Sequence, residues 1–341
     1  MTWSSAVAQA LVPAASTLVS RHVPRQKPRR RATARATALS LLLAASLSQA
    51  ATYYVTVAGL GGEADYDQRF TGLARDSEKA LKGSGGDVTV HTLTGNDATR
   101  AKLAETLGQI ARDSKSEDSF VLMLIGHGTF DGNEYKFALK GPDVSSVELA
   151  AFCDRIPAQK QLVVNMTSAS GGSIAGLQRH NRGVITATKT GSEKNATVFG
   201  RYWVEALRDP AADTDKNETI TALEAFTYAD RKTTTFFESQ KRLATEHAVL
   251  EDTGKGEAVR VPSTDNGQGL FSGRFSLLRI GAAQKAAADP AKRKILDRKE
   301  QLESEIDRLK YEKAAMPTAE YRKQLAALLL ELAKAQAELD K

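Results

Sequence analysis

Apolar and polar positions divide the chain into an alternating central stretch, a helical tail and a basic leader. Thr52-Tyr-Tyr-Val-Thr-Val-Ala58 is a β-branched and aromatic run, ended by Gly59-Leu-Gly-Gly62. It predicts a strand. Phe70, Leu73, Ala74, Ser77, Ala80 and Leu81 recur at helical spacing and predict a helix over 70–81. Asp87 to Leu93 predicts a second strand. Asn96 or Asp97 then caps a helix carrying Leu103, Leu107 and Ile110. Phe120–Ile125 and Gln161–Met166 are nearly continuous apolar runs, as expected of strands buried on both faces. Between them, 147–156 has helical spacing. Arg182–Thr188 predicts a further strand and Val198–Leu207 a further helix. This order predicts an α/β three-layer sandwich with a mainly parallel sheet.

From residue 282 onward glycine disappears, and Ala, Lys, Glu, Leu and Arg dominate. Ile295, Leu302, Ile306 and Leu309 follow a heptad-like rhythm that Met316-Pro317-Thr318 breaks. A second helix then carries Tyr321, Leu325, Leu328, Leu329, Leu332 and Leu339. The pattern predicts an antiparallel helical hairpin or coiled coil over 282–341. Two roles stay open for it: packing on the parent domain, or self-association and partner binding. The α/β domain occupies 51–281.

Charge changes the reading of the first fifty residues. The chain has 341 residues and a formal net charge of +6. Seven of its 47 Lys and Arg lie in residues 1–50, which hold no Asp or Glu. The remainder carries 40 basic against 41 acidic residues, a net charge of −1. The leader ends in an apolar run, Ala38–Leu47, with Ser48 and Ala50 small before Ala51. Basic, apolar and small segments in that order predict a signal peptide with an extended basic start. The run is half the roughly twenty residues that span a bilayer, so the mature chain has no stable membrane span. The expected location is periplasmic or secreted. A single cysteine, Cys153, excludes an intrachain disulfide, and its apolar helical neighbours place it in the core. Near-neutral charge and no interleaving of basic and aromatic residues argue against nucleic-acid binding. Gly59–Gly62 lacks the third glycine and the Lys-Ser/Thr pair of phosphate loops.

In parallel sheets, reactive residues gather beyond the strand carboxyl ends. Two such ends stand out: Ile125-Gly-His127-Gly128, and Val164-Asn-Met-Thr-Ser168-Ala-Ser170-Gly171-Gly172. If their strands are neighbours, His127 and Ser168 share a crevice. A serine alcohol attacks only when a base takes its proton, and His is the usual base. A strand-end His or a helix-capping Ser reads equally well as structural. Asp131 and Glu134 in the following loop read as solvated charge.

These two motifs resemble the caspase-like cysteine peptidases of clan CD. They are most similar to the legumain-type C13 group and its bacterial relatives, whose second motif reads Ala-Cys-Glu-Ser-Gly-Ser. Thr167-Ser168-Ala169-Ser170-Gly171-Gly172 stands in its place. The resemblance implies a catalytic role for His127, an oxyanion donor in Gly128 and Ser168 in the nucleophile slot. Serine replaces cysteine there, and an alcohol, unlike a thiolate, needs simultaneous proton removal. Two functions follow: an exported serine-nucleophile hydrolase of peptide bonds working through an acyl-enzyme, or an inactive pseudo-peptidase that binds peptides or proteins.

One further motif suits a hard cation. Asp213-Thr-Asp215-Lys-Asn217-Glu-Thr219-Ile-Thr-Ala-Leu-Glu224 matches a twelve-residue calcium loop. Asp213, Asp215, Asn217 and Glu224 supply side-chain oxygens and Thr219 a carbonyl. Glu218 stands at position six, where glycine eases the turn. A structural Ca2+ bracing 213–224 is expected, against an acidic turn in which Asp213 caps the following helix. Thr245-Glu246-His247 reads as a solvated turn, with part of a pocket as the alternative.

Overall fold

The apolar runs form the sheet. The computed structural model describes residues 50–263 and 265–341, all within one compact unit, Ser48–Lys341. Apart from Ala50, the expected export segment lies outside the described residues. The first half runs β1 (Thr52–Ala58), α1 (Ala64–Lys82), β2 (Val88–Leu93), α2 (Arg100–Asp113), β3 (Ser119–Ile125), β4 (Gly128–Phe130), β5 (Tyr135–Phe137), β6 (Val144–Ser145), α3 (Ser146–Cys153) and β7 (Lys160–Asn165). It continues with α4 (Ile174–Leu177), β8 (Arg182–Thr186), α5 (Phe199–Ala206), β9 (Thr219–Thr221), α6 (Ala222–Ser239) and β10 (Val249–Glu251). The last elements are α7 (Leu270–Gly273), β11 (Ser276–Arg279), α8 (Gly281–Ala288), α9 (Pro290–Glu312) and α10 (Thr318–Leu339).

The main sheet has the order β10-β8-β7-β3-β1-β2. Five strands are parallel, and β10 closes one edge antiparallel to β8. Side chains alternate across a strand, and this alternation builds two cores. Val121, Met123 and Ile125 of β3 face α1, α5 and α6, where Phe70, Trp203 and Phe226 meet them. Phe120, Leu122 and Leu124 face the other way, onto Leu107 of α2, Leu149 of α3 and the β4–β6 meander. Helices on both faces make the three-layer α/β sandwich with its mainly parallel sheet. Cys153 is fully buried in the second core, and burial pushes its thiol up to about 11.

Several boundaries move for local reasons. α1 begins at Ala64, six residues before its apolar spacing, because Asp65 and Asp67 suit a helix start. Thr99 caps α2 by accepting from Lys102 N, while Asn96 and Asp97 lie in a separate turn. β4–β6 and β10 are two or three residues long, too short to show a period.

A polar clamp fixes the amino ends of β7 and β8. Arg182 is 1% exposed. It donates to Gln161 Oε1 at 3.0 and 2.9 Å, to Leu177 O at 2.9 Å and to Asp154 Oδ1 at 2.7 Å. Gln161 Nε2 in turn donates to the carbonyls of Cys153, Ile156 and Ala158, where α3 ends.

The tail forms the helical hairpin. Leu296, Leu302, Ile306 and Leu309 of α9 are buried. Arg279–Glu300 and Tyr311–Gln268 contacts tie α9 to the parent domain. α10 lies along α9, and Ala335 is its one buried residue. No helix among the described residues is long and apolar enough to cross a membrane.

Arg182→Ala strands the Gln161 and Leu177 acceptors inside the protein. Urea unfolding should show a loss of about 3 kcal/mol; a loss below about 1 kcal/mol would mean that water reaches these groups.

Candidate active site

Parallel pairing of β3 with β7 decides what sits at the crevice. The ladder ends at Leu124 opposite Asn165, and Met166 N donates to Leu124 O at 2.9 Å. The next residues of each strand therefore leave the sheet side by side. The Ser168 hydroxyl donates to Gly128 O at 3.0 Å and accepts from Gly128 N at 3.1 Å. Ser168 is 3% exposed. A Cβ at position 128 would lie 2.5 Å from Ser168 O and 2.6 Å from Thr167 Oγ1, so only glycine permits this approach.

His127 leaves the same strand end but points elsewhere. Its ring packs edge-on against Tyr66 at 4.7 Å and Phe70 at 5.1 Å, both on α1. Arg69 stacks over the same two aromatic rings. Burial lowers the imidazole below its ordinary value, against a hydrogen bond to the Gly61 backbone that works the other way. That lowering favours the neutral imidazole. Among the described residues, no hydrogen bond joins His127 to Ser168. The fold brings both expected residues to one edge and couples Ser168 to Gly128, not to His127. Asp131 turns inward on its own loop, accepting from Asn133 N and Glu134 N.

The Ser168 turn is held from three sides. Ala169 takes a left-handed conformation, φ 54°, which costs an alanine about 1–2 kcal/mol. Its N–H is engaged by Glu193 O at 2.8 Å. Thr188 accepts from Gly171 N and bonds the Ser170 hydroxyl. Below, buried Tyr135, Asn165 and Thr167 share hydrogen bonds, with Tyr135 OH 2.5 Å from Thr167 Oγ1.

Two carboxylates complete the surroundings, and sequence reading gave no sign of the first. Glu193, in the loop after β8, pairs with His247 Nδ1 at 2.5 Å. Glu246 is 3% exposed and accepts from Val198 N and Phe199 N at the start of α5. The 245–247 segment is thus no solvated turn at Glu246. Burial outweighs those N–H bonds and pushes its carboxyl up to about 7. The strand-end position of both loops was the available signal; contact across 54 residues was not.

With this geometry in view, three solved structures are similar to the chain. The Drosophila initiator caspase Dronc is 10% identical, covers 61% of this chain and 81% of its own, and gives a TM-score of 0.39. Caspase-1 from Spodoptera frugiperda is 15% identical, covers 60% and 86%, and gives 0.42. Protein GSU0716 from Geobacter sulfurreducens is 12% identical, covers 54% and 89%, and gives 0.38. No family model and no curated protein matches the chain. Similarities of this size assign no activity.

Away from the crevice, carboxylate oxygens of Asp213, Asp215 and Glu224 lie within 4.8 Å of one another. Glu218 adopts φ 66° at the glycine position, anchored because its carboxylate accepts from Ala283 N and its carbonyl from Ile280 N. Asp213 does not cap α6. It accepts from Asn217 N and Glu218 N, and Thr221 with Glu224 forms the capping box. Asn217 accepts from Thr219 N. Burial and the nearby Glu224 push Asp215 up to about 6.

Two measurements follow. Ser168→Ala leaves both Gly128 groups without a partner, and denaturant unfolding should show a loss of about 1–3 kcal/mol; an unchanged midpoint would mean water replaces the hydroxyl. Glu246 titrates near 7 when folded against 4.5 ordinarily, so its raised value favours folding at low pH. That contribution is full below about 4.5 and is lost as pH rises through about 7. Wild type should lose on the order of 3 kcal/mol relative to Glu246→Gln between those pH values; parallel stability curves would contradict it.

Proposed function

We propose that the chain is an exported peptidase-like protein. It holds a peptide segment at the carboxyl edge of β3 and β7 and, with Ser168 in this arrangement, does not cleave it. The observation that carries this reading is the double hydrogen bond between the Ser168 hydroxyl and Gly128. A serine needs its proton removed as it attacks. Here the hydroxyl donates its hydrogen bond to a backbone carbonyl, which is no base, and the Gly128 N–H suited to an oxyanion is already engaged. The basic, apolar and small segments before Ala51 support export.

Beside His127 lies a cavity of about 250 Å³ between α1 and α5. Phe70, Leu73, Ile125, Met166 and Phe236 make its walls apolar, and Arg69 and Arg201 stand among its lining. Such a mixture suits one side chain of an extended peptide. The second reading, a serine hydrolase, draws on the place of His127 at the same sheet edge, where burial favours the neutral imidazole that a base requires. It needs the Ser168 hydroxyl to leave Gly128 and turn toward the imidazole.

A fluorophosphonate probe separates the two. Wild type and Ser168→Ala should label equally; labelling that depends on Ser168 would establish the hydrolase instead. In parallel, a peptide selected from a random library should lose about tenfold or more in affinity when Leu73→Trp fills the cavity. Selection that yields no binder, or a binder indifferent to Leu73→Trp, would sink the crevice reading.

A further inference from the structure

The amino edge of the sheet, opposite the crevice, holds a buried carboxylate without a counter-charge. Asp118, just ahead of β3, is 3% exposed. Its oxygens accept from two backbone N–H groups, Oδ1 from Ala51 at 2.8 Å and Oδ2 from Lys115 at 2.7 Å. Among the described residues no side-chain cation bonds it. A carboxylate withdrawn from water in this way is unfavourable until an opposite charge meets it.

We infer that hydrolysis of the Ala50–Ala51 peptide bond supplies that charge: the α-ammonium of Ala51 pairs with Asp118, and removal of the leader thereby completes the fold. The inference rests on the export reading above and is independent of what Ser168 does. In the step, water cleaves the amide. Its oxygen leaves with Ala50 as a carboxylate, and its two hydrogens join the Ala51 nitrogen, which keeps its own hydrogen and becomes the ammonium. That nitrogen is the atom already bonded to Asp118 Oδ1. A neutral N–H thus becomes a charged donor on the same acceptor, a bond roughly twice as strong.

The fold keeps this nitrogen in place. Ser119 N donates to Ala51 O and Thr52 N to Asp87 O, both at 2.9 Å, so the neighbouring strands grip the chain from Ala51 onward. Ala51 is 9% exposed, whereas Ala50 is exposed and lines a cavity of about 390 Å³ with Glu117 and Ser119. Departure of Ala50 removes nothing from the core and opens the new terminus to that space. The sequence points to the same bond independently, because Ser48 and Ala50 are the small residues that a cut before Ala51 needs. Burial of Ala51 also sets the order: the bond is accessible only before β1 joins the sheet, so the cut precedes folding.

Two experiments test the inference. N-terminal sequencing of the chain exported by a bacterium under its own leader should read Ala-Thr-Tyr-Tyr, residues 51–54. An exported chain that begins elsewhere overturns the inference and leaves export standing; a chain retained uncut overturns the export reading, and the cut with it. For the pairing, a site-specific protease sequence placed directly ahead of Ala51 in the full chain gives uncut and cut forms from one preparation. Urea unfolding should show that cutting raises the folding constant about tenfold more in wild type than in Asp118→Asn; equal changes in both overturn the pairing. Independently of how Asp118→Asn folds, the cut wild type is labelled with a succinimidyl ester. Its Ala51 amine, read by peptide mapping, should react about tenfold more slowly in the folded chain than in urea; equal rates overturn the pairing.

Discussion

The pairing of β3 with β7 is the constraint on which the crevice depends. Both strands are apolar on two faces, so each must lie in the middle of a covered sheet. Parallel in-register pairing then brings their carboxyl ends out together, with Leu124 opposite Asn165. Everything at the crevice inherits its position from this ladder. Gly128 and Ser168 come close enough to exchange two hydrogen bonds because forty residues of intervening helix and meander return the chain to the neighbouring strand. The Arg182 clamp at the opposite end of β7 and β8 ties those two strands to each other and to the end of α3. A slip of one residue would exchange the two faces of β7.

Within that frame, polar groups settle in pairs. Backbone N–H and C=O groups left at a strand end must find partners once buried. Gly128 finds both in one serine hydroxyl. The same economy fastens the left-handed Ala169, whose N–H is held by the Glu193 carbonyl while Thr188 takes the next turn. Glu193 also holds His247, and the neighbouring Glu246 holds the start of α5. The loops beyond β7, β8 and before β10 are therefore one hydrogen-bonded assembly. A hydroxyl in this assembly is ordered by its neighbours, whereas His127 is ordered by aromatic rings on α1. The two residues are adjacent in the fold and separate in their bonding.

The hairpin attaches through a different chemistry. Its first helix buries four apolar residues, yet it holds the 213–224 loop through a charged group, Lys299, which donates to the Asn217 carbonyl. Glu218 accepts a left-handed backbone without being glycine because its side chain caps α8. Thus the loop that carries the carboxylates is also the surface on which α8 and α9 are mounted.

Much of this was legible in the sequence. Apolar runs bounded by glycine placed β1, β3 and β7, and helical spacing placed α1, α2 and the two long tail helices, because burial on a period leaves a local record. The strand ends carrying His127 and Ser168 followed from the same runs, and the acidic spacing marked the loop. Short elements such as β4–β6 left no period. Glu246 looked solvated because nothing local shows that α5 begins above it. Thr221, not Asp213, took the α6 cap because loop closure turned Asp213 toward Asn217 and Glu218. Sequence alone determined the sandwich, its strand ends and its charge segregation, since these depend on patterns within one element. The partner of the Ser168 hydroxyl, the direction of the His127 ring and the contact of Asp118 with Ala51 were decided only in three dimensions. Each depends on which atoms of distant segments are brought within hydrogen-bond reach.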